Sequence, residues 1–402
     1  MHKWLSIVGL GEDGYAGVSP VARALIAQAD VLVGGARHLA MLPSDTAGER
    51  WTWTSPIAAS IQAIVSRRGQ RLCVLASGDP MCYGIGVTLS HVVAIDEITM
   101  VPAPSALSLA CARLGWSLPD VEIVSLCGRD PALLHAVLYP GARVLVLSAG
   151  KQTPPVVAAG LTRQGFGASQ LTVLERLGGA HERLLQGTAS SWHGPDVDPL
   201  HTIALTCIAD PGVTGWSRLA GLPDAAYQHD GQLTKREVRA MTLAALAPLP
   251  GQLLWDVGAG CGSLSIEWMR SDTRCQAIAI EQHPTRLQYL AANATALGTP
   301  TLRIVAGAAP TALTELPAPD AVFIGGGLTT AYLFDTCWQA LRPGGRLVAN
   351  TVTVESEQLL YQWQRQYGGD LSRIAIQRAA PLGAFLGWKA LAPVTQWAVV
   401  KP

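Results

Sequence analysis

Leu253-Leu254-Trp255-Asp256-Val257-Gly258-Ala259-Gly260-Cys261-Gly262-Ser263 decides the fold of the second half of the 402-residue chain. Its first five residues read as a buried strand. The glycines that follow let the backbone turn tightly and approach a ligand closely. Glu281 ends the next strand-like run, 277–281, at 19 residues beyond Gly262. A carboxylate at that place accepts ribose hydroxyls. The spacing is Gly-x-Gly-x-Gly, and position 263 is Ser, so the third glycine of a dinucleotide fingerprint is missing. Asp256 ahead of the loop suits a cationic cofactor better than a polyphosphate. S-adenosylmethionine carries a ribose, a sulfonium and an ammonium, and no phosphate.

Outward from this loop the alternation of strands and helices continues. A helix is expected over 234–246, then strands at 303–306, 321–324 and 346–350, with a terminal strand at 397–400. Thr234 followed by Glu237 has the spacing of a capping box. Lys235, Arg236 and Arg239 cluster on the same helix start, where backbone N–H groups point outward, so they are candidates for a substrate carboxylate. His229 is a candidate proton shuttle. Asn350, which closes a strand near the expected cofactor edge, is a further catalytic candidate.

The first half has its own α/β pattern. Strands are expected at 5–10, 31–34, 71–76, 121–124, 143–148 and 201–207, with a helix over 18–29. Gly loops follow two of them: Gly9-Leu10-Gly11-Glu12-Asp13-Gly14 and Ser77-Gly78-Asp79-Pro80-Met81-Cys82-Tyr83-Gly84. The pattern lapses over 210–224, which reads as a linker. Domains are therefore expected at 1–209, in lobes of about 1–115 and 116–209, and at 225–402. The two halves have different Gly loops and are not copies.

Composition narrows the function. Hydrophobic residues make up 49% and charged residues 14%, so the chain can bury a large core. The net charge is zero, with 29 basic and 29 acidic residues and no basic tract, which argues against a nucleic-acid partner. No uncharged run exceeds 16 residues, short of the ~20 needed to span a membrane. Glu12 and Asp13 cut off the short apolar start, so no signal peptide is expected and the reading is cytoplasmic. Eight cysteines without a CxxC pair give no zinc ribbon and no disulfide framework, and no metal is expected. A nicotinamide-dependent oxidoreductase, an RNA methyltransferase and a nonproductive S-adenosylmethionine-binding sensor are the competing readings, the last marked by a lack of any turnover. The incomplete fingerprint weighs against the first and the neutral charge against the second.

The run from His229 to Trp268, with Gly307-Ala308-Ala309-Pro310, Pro319 to Gly327 and Pro393 to Trp397, closely resembles the decarboxylating precorrin methyltransferase module of cobalamin biosynthesis. The resemblance covers 225–402 and implies a Rossmann-like class I methyltransferase fold. It implies S-adenosylmethionine contacts at Thr234, Gly258, Ala259, Gly260, Cys261, Gly262, Glu281, Gly307, Ala308 and Ala309. Many class I methyltransferases hold the adenine amine with an acidic residue in that last turn. Here Ala308 and Ala309 leave the task to backbone groups.

In the first half the Gly loops resemble the tetrapyrrole methylase family, in its precorrin C-5 methyltransferase branch. Val33-Gly34-Gly35-Ala36-Arg37-His38-Leu39, Pro102 to Ser108 and Ala112-Arg113-Leu114-Gly115-Trp116 carry the match, over about 1–207. It implies a two-lobed class III fold, a second S-adenosylmethionine site, and contacts at Leu10, Asp79, Tyr83, Ser105, Ala106 and Ser148. Cys127 stands where this branch has His. Arg37 and Arg129 are candidates for substrate carboxylates. Together the resemblances imply a homo-oligomeric enzyme acting on a small-molecule tetrapyrrole. Precorrin-6B would be methylated at C-5 and C-15 and would lose CO2 from its ring C acetate, giving precorrin-8.

Overall fold

The structure, a computed structural model, describes residues 3–194 and 196–402. The chain divides into two units, Met1–Arg129 with Tyr139–Val213, and Asp130–Leu138 with Thr214–Pro402. The break after Val213 falls inside the stretch read as a linker. The transfer of Asp130–Leu138 to the second unit has no counterpart in the sequence reading.

The first unit holds two sheets. One contains β1 (Leu5–Leu10), β2 (Val31–Gly34), β3 (Glu49–Thr52), β4 (Leu72–Ser77) and β5 (Ile98–Val101). Their order is β3-β2-β4-β1-β5 and every pair is parallel. Alternate residues of β1 feed opposite core layers: Leu5 and Ile7 pack with Leu72 and Val74, while Val8 and Leu10 pack with Cys73 and Leu75. Burial on both faces is what makes these strands continuous apolar runs. The other sheet contains β6 (Glu122–Ser125), β7 (Arg143–Leu147), β8 (Gln170–Glu175), β9 (Arg183–Thr188) and β10 (His201–Thr206) in the order β6-β7-β10-β8-β9. Only β6 and β7 run parallel there; the other neighbours are antiparallel.

The second unit is built on a seven-stranded sheet. Its members are β11 (Leu253–Val257), β12 (Gln276–Glu281), β13 (Arg303–Ala306), β14 (Ala321–Ile324), β15 (Arg346–Thr351), β16 (Asp370–Ile374) and β19 (Val394–Val400). The order is β13-β12-β11-β14-β15-β19-β16. The first five are parallel, and β19 runs antiparallel to both of its neighbours. The order reverses between β11 and β14, the point at which doubly wound sheets open a ligand crevice. Trp397 of β19 is fully buried beside Phe334 and Trp363, which stack with centroids 4.2 Å apart. A separate hairpin joins β17 (Gln377–Leu382) to β18 (Phe385–Ala390). Phe385, Leu386 and Trp388 on it are largely exposed.

Two expectations need correction. The stretch 210–224 has no helix or strand before Asp224, but its second half is not a free tether. Gly221 and Leu222 donate backbone N–H groups to the buried Glu267 carboxylate at 2.6 and 3.0 Å, and Leu222 is in the core. The helix expected from Thr234 starts at Arg236, with Lys235 as N-cap and no side-chain cap. The capping box fails because Glu237 is engaged by Arg378 of β17 at 2.5 Å.

Two candidate cofactor clefts

In the second unit a cleft of about 870 Å³ opens at the carboxyl ends of β11, β12, β14 and β15. The glycine loop forms its floor. Gly258, Gly260 and Gly262 all have left-handed φ, at 75°, 58° and 80°. A side chain on Gly262 would put its Cβ 2.9 Å from Leu290 Cγ. Gly262 therefore supplies the close packing that the sequence reading found missing at position 263. It does not itself line the cleft, whereas Gly258, Ala259, Gly260 and Cys261 do.

Two carboxylates stand at this loop. Glu281 accepts N–H groups from Gly260, Gln282 and His283 at 2.8–2.9 Å. Those bonds fix its carboxylate at the end of β12 and leave lone pairs for further donors. Asp256 is 1% exposed. Its Oδ2 accepts the Ser265 N–H at 3.1 Å and the Ser265 hydroxyl at 2.5 Å. Its Oδ1 has no hydrogen-bond partner among the described residues, although Asp256 lines the cleft. Burial, helped by the charge of Glu281 and opposed by Ser265, pushes the Asp256 carboxyl up to about 6. A buried acceptor without a donor, beside glycines that admit a close ligand, fits a cation such as the ammonium of S-adenosylmethionine.

Thr234, Gly307, Ala308 and Ala309 also line this cleft, as do Lys235 and Asn350. Asn350 is pinned: its Nδ2 donates to the Thr242 hydroxyl at 2.8 Å and its Oδ1 accepts from Gln396 at 3.0 Å. On the far side Val352, Ile374, Ile376, Leu391 and Val394 make an apolar wall.

Three catalytic candidates are not in the cleft. Arg239 is completely buried. Its Nε pairs with Glu267 at 2.6 Å, its guanidinium lies 4.8 Å from the Tyr227 ring centroid, and it donates to the Leu222 and Thr234 carbonyls. It is a structural cation and cannot reach a substrate. Arg236 is exposed outside the cleft, with its backbone N–H on Asp224. His229 accepts the Gly231 N–H at 2.9 Å and shapes the turn before the helix.

The first unit has a cleft of about 410 Å³ at the carboxyl ends of β1 and β4. Leu10, Asp79, Tyr83, Ser105, Ala106 and Ser148 all line it. Gly78 holds the turn open: its φ is 53°, and a Cβ there would come 2.9 Å from the Pro104 carbonyl oxygen. Asp79 Oδ1 accepts the Met81 N–H at 2.8 Å, and Ser105 caps the helix Ala106–Leu114. One carboxylate, a glycine turn and a helix start also suit a cation with a ribose. Arg37 lines the cleft but is tied to Glu12, which also pairs with Arg176. Arg176 pairs in turn with Asp198 at 2.7 Å. Arg129 is not part of the lining; its guanidinium sits 5.6 Å from the centroid of Tyr83. Cys127 is exposed there, with Sγ 3.2 Å from the Ser148 carbonyl oxygen.

The sequence reading passed over Glu12, Arg176, Glu267, Thr242 and Gln396. Their side-chain partners lie 22 to 164 residues away in the chain, and no local spacing signals such pairs.

The profile of the precorrin methyltransferase domain matches residues 225–401, and that of the tetrapyrrole (corrin/porphyrin) methylases matches 5–192. A precorrin-6Y C(5,15)-methyltransferase [decarboxylating] of Sinorhizobium sp is 49% identical over 401 residues, covering 100% of this chain and 97% of that protein. A cobalt-precorrin-7 C(5)-methyltransferase of Salmonella typhimurium is 34% identical over 45% of this chain and 88% of its own length. A cobalt-precorrin-6B C(15)-methyltransferase (decarboxylating) of the same organism is 36% identical over 38% of this chain and 80% of its own length. With near-full-length identity of this order and a cofactor cleft in each unit, the chain belongs to the precorrin-6Y C(5,15)-methyltransferase (decarboxylating) family.

Proposed function

We propose that the chain methylates precorrin-6B at C-5 and C-15 and removes CO2 from its ring C acetate, giving precorrin-8. The observation that carries this reading is the presence of two separate clefts in one chain, each with a glycine turn and a carboxylate suited to the same cation. The second unit is assigned C-15 methylation and decarboxylation, and the first unit C-5 methylation. S-adenosylmethionine, when bound, supplies an electrophilic methyl group.

In the second cleft Glu281 holds the ribose hydroxyls and Asp256 Oδ1 the ammonium. Backbone groups of Gly307, Ala308 and Ala309 face the adenine. The apolar wall takes the flat macrocycle and excludes water, and Lys235 holds one of its carboxylates. Asn350, locked by Thr242 and Gln396, orients the ring. Alignment of the reacting atoms supplies most of what methyl transfer requires. In the decarboxylation the carbon–carbon bond to the carboxylate breaks. Its electron pair moves into the protonated ring, and a proton replaces CO2. In the first cleft Asp79, Ser105 and Ala106 hold the cofactor, and Arg37 meets a substrate carboxylate. Among the described residues no helix is long and apolar enough to cross a membrane. A cytoplasmic homo-oligomer completes the reading.

Mass spectrometry of the product from precorrin-6B and S-adenosylmethionine tests it. The native chain adds two methyl groups and loses CO2. Asp79→Asn yields the C-15-methylated, decarboxylated ring alone. Unchanged substrate mass with the native chain overturns the reading.

A further inference from the structure

We propose that Ser77 and His38 form the proton-accepting pair of the first cleft. Ser77 Oγ takes the proton that leaves C-5 after methylation while its own proton passes to His38 Nε2. This rests on the assignment of C-5 chemistry to that cleft.

Three contacts define the pair. His38 Nε2 lies 3.0 Å from Ser77 Oγ. Arg37 Nη2 lies 2.9 Å from the same imidazole nitrogen and 3.1 Å from the same hydroxyl. A guanidinium has only donors. Nε2 must therefore present its lone pair, and the neutral ring carries its proton on Nδ1. Ser77 Oγ already accepts from Arg37, and its hydroxyl hydrogen shares the single Nε2 lone pair with Arg37 in a three-centre hydrogen bond, from which Arg37 is displaced as the proton arrives. One lone pair of Ser77 remains. Ser77 is the exposed last residue of β4, and it lines the cleft directly before Gly78 and Asp79 of the cofactor turn.

The surroundings keep this arrangement in the accepting state. His38 is 9% exposed, and its neighbour Arg37 is anchored by Glu12. Burial first, and the Arg37 charge second, lower the imidazole to about 4, so it stays neutral at physiological pH. A weak base is sufficient. Once methylated, C-5 bears a hydrogen beside a cationic C=N group, which makes that hydrogen acidic. The C-5–H bond breaks, its electron pair forms a ring C=C bond, and the charge on the C=N group is neutralised. The imidazolium formed beside Arg37 then releases its proton to solvent, and the hydroxyl returns to its starting position.

The test uses the full chain and a substrate deuterated at C-5. Ser77→Ala slows C-5 methylation ~100-fold, within the range of lost general-base catalysis. It also exposes a primary deuterium isotope effect that the native enzyme does not show. His38→Gln behaves alike, and Ser77→Thr, which keeps a hydroxyl, retains most of the rate. Methylation at C-15 and CO2 release, made in the other unit, continue at the native rate and report a folded chain. Binding of S-adenosylhomocysteine to two sites per chain is unchanged in all three variants. A C-5 rate within twofold of native in Ser77→Ala, or a slow rate with no isotope effect, overturns the pair. Asp79→Asn separates the two failures. If it abolishes C-5 methylation while Ser77→Ala does not, only the pair falls. If it leaves C-5 methylation intact, the assignment of the cleft falls, and the pair with it.

Discussion

Asp256 is held in a neutral-leaning state by its burial, and a cation placed against Oδ1 reverses that preference. Its carboxyl sits at about 6 in the free protein, so below that pH the group must lose a proton to receive an ammonium. The expected outcome is a cofactor dissociation constant at the second site that is flat above about pH 7. Below about pH 6 it rises up to tenfold per pH unit, the slope of one released proton. Calorimetric titration from pH 5 to 8 checks this, and Asp256→Asn removes the slope. At this scale the sequence was informative wherever the requirement is local. Gly258, Gly260 and Glu281 could be read because a strand end, a tight turn and a carboxylate follow one another. Arg239 was misread for the opposite reason. Its charge is visible in the sequence, but its partner Glu267 comes from another helix, 28 residues on. A charge without its partner looks like a binding group.

Among the elements, β1, β11 and β14, buried on both faces, were legible; β8, buried as fully, was not, and of the edge strands β6 and β13 were read while β3, β5, β9 and β16 were not. β1, β11 and β14 are apolar throughout or nearly so, and their ends lie within a residue or two of the expected limits. β9, β16, β17 and β18 are mostly exposed, so polar and apolar residues carry no clear alternation there. β17 and β18 pair only with each other. Among the described residues the ion pairs that tie β17 to the rest of the unit are those of Arg378 to Asp224 and Glu237, on a side chain 39% exposed. Such pairs contribute about 0–1 kcal/mol. Amide hydrogen exchange measured by mass spectrometry should therefore find 377–390 unprotected, while β11, β12, β14 and β15 exchange last. Protection of the hairpin equal to that of β11 would contradict this account.

At the scale of the whole molecule one buried group in each unit couples folding to acid, and the two act in opposite directions. In the first, folding lowers His38 from 6.5 to about 4, and burial lowers His201 as well. The unfolded chain then binds more protons between those values, so stability is full above about 6.5 and is lost as pH falls toward 4. In the second, folding raises Asp256 from 3.8 to about 6. Here the folded state binds more protons, so stability grows as pH falls through that window. From pH 7 to pH 5 His38 removes about 2 kcal/mol from the first unit, and Asp256 adds about 1 kcal/mol to the second. Scanning calorimetry of the ligand-free chain should show two transitions that move several degrees in opposite senses. The division into two α/β units was legible because each half has its own run of strands. The grouping of Asp130–Leu138 with the second unit was not, since a short segment of turns has no periodic signature.

The place of β19 between β15 and β16 also sets a timetable for synthesis. A ribosome delivers the other six strands of that sheet before the one that joins β15 to β16 exists. Until residues 394–400 leave the exit tunnel, β16 has no neighbour in the sheet. The slot for Trp397 beside Phe334 and Trp363 stays open, and β15 presents a bare edge. Completion of the sheet thus waits for the last of its strands in chain order. Chains truncated upstream of this strand carry a bare edge, the kind of defect that chaperones and proteases recognise.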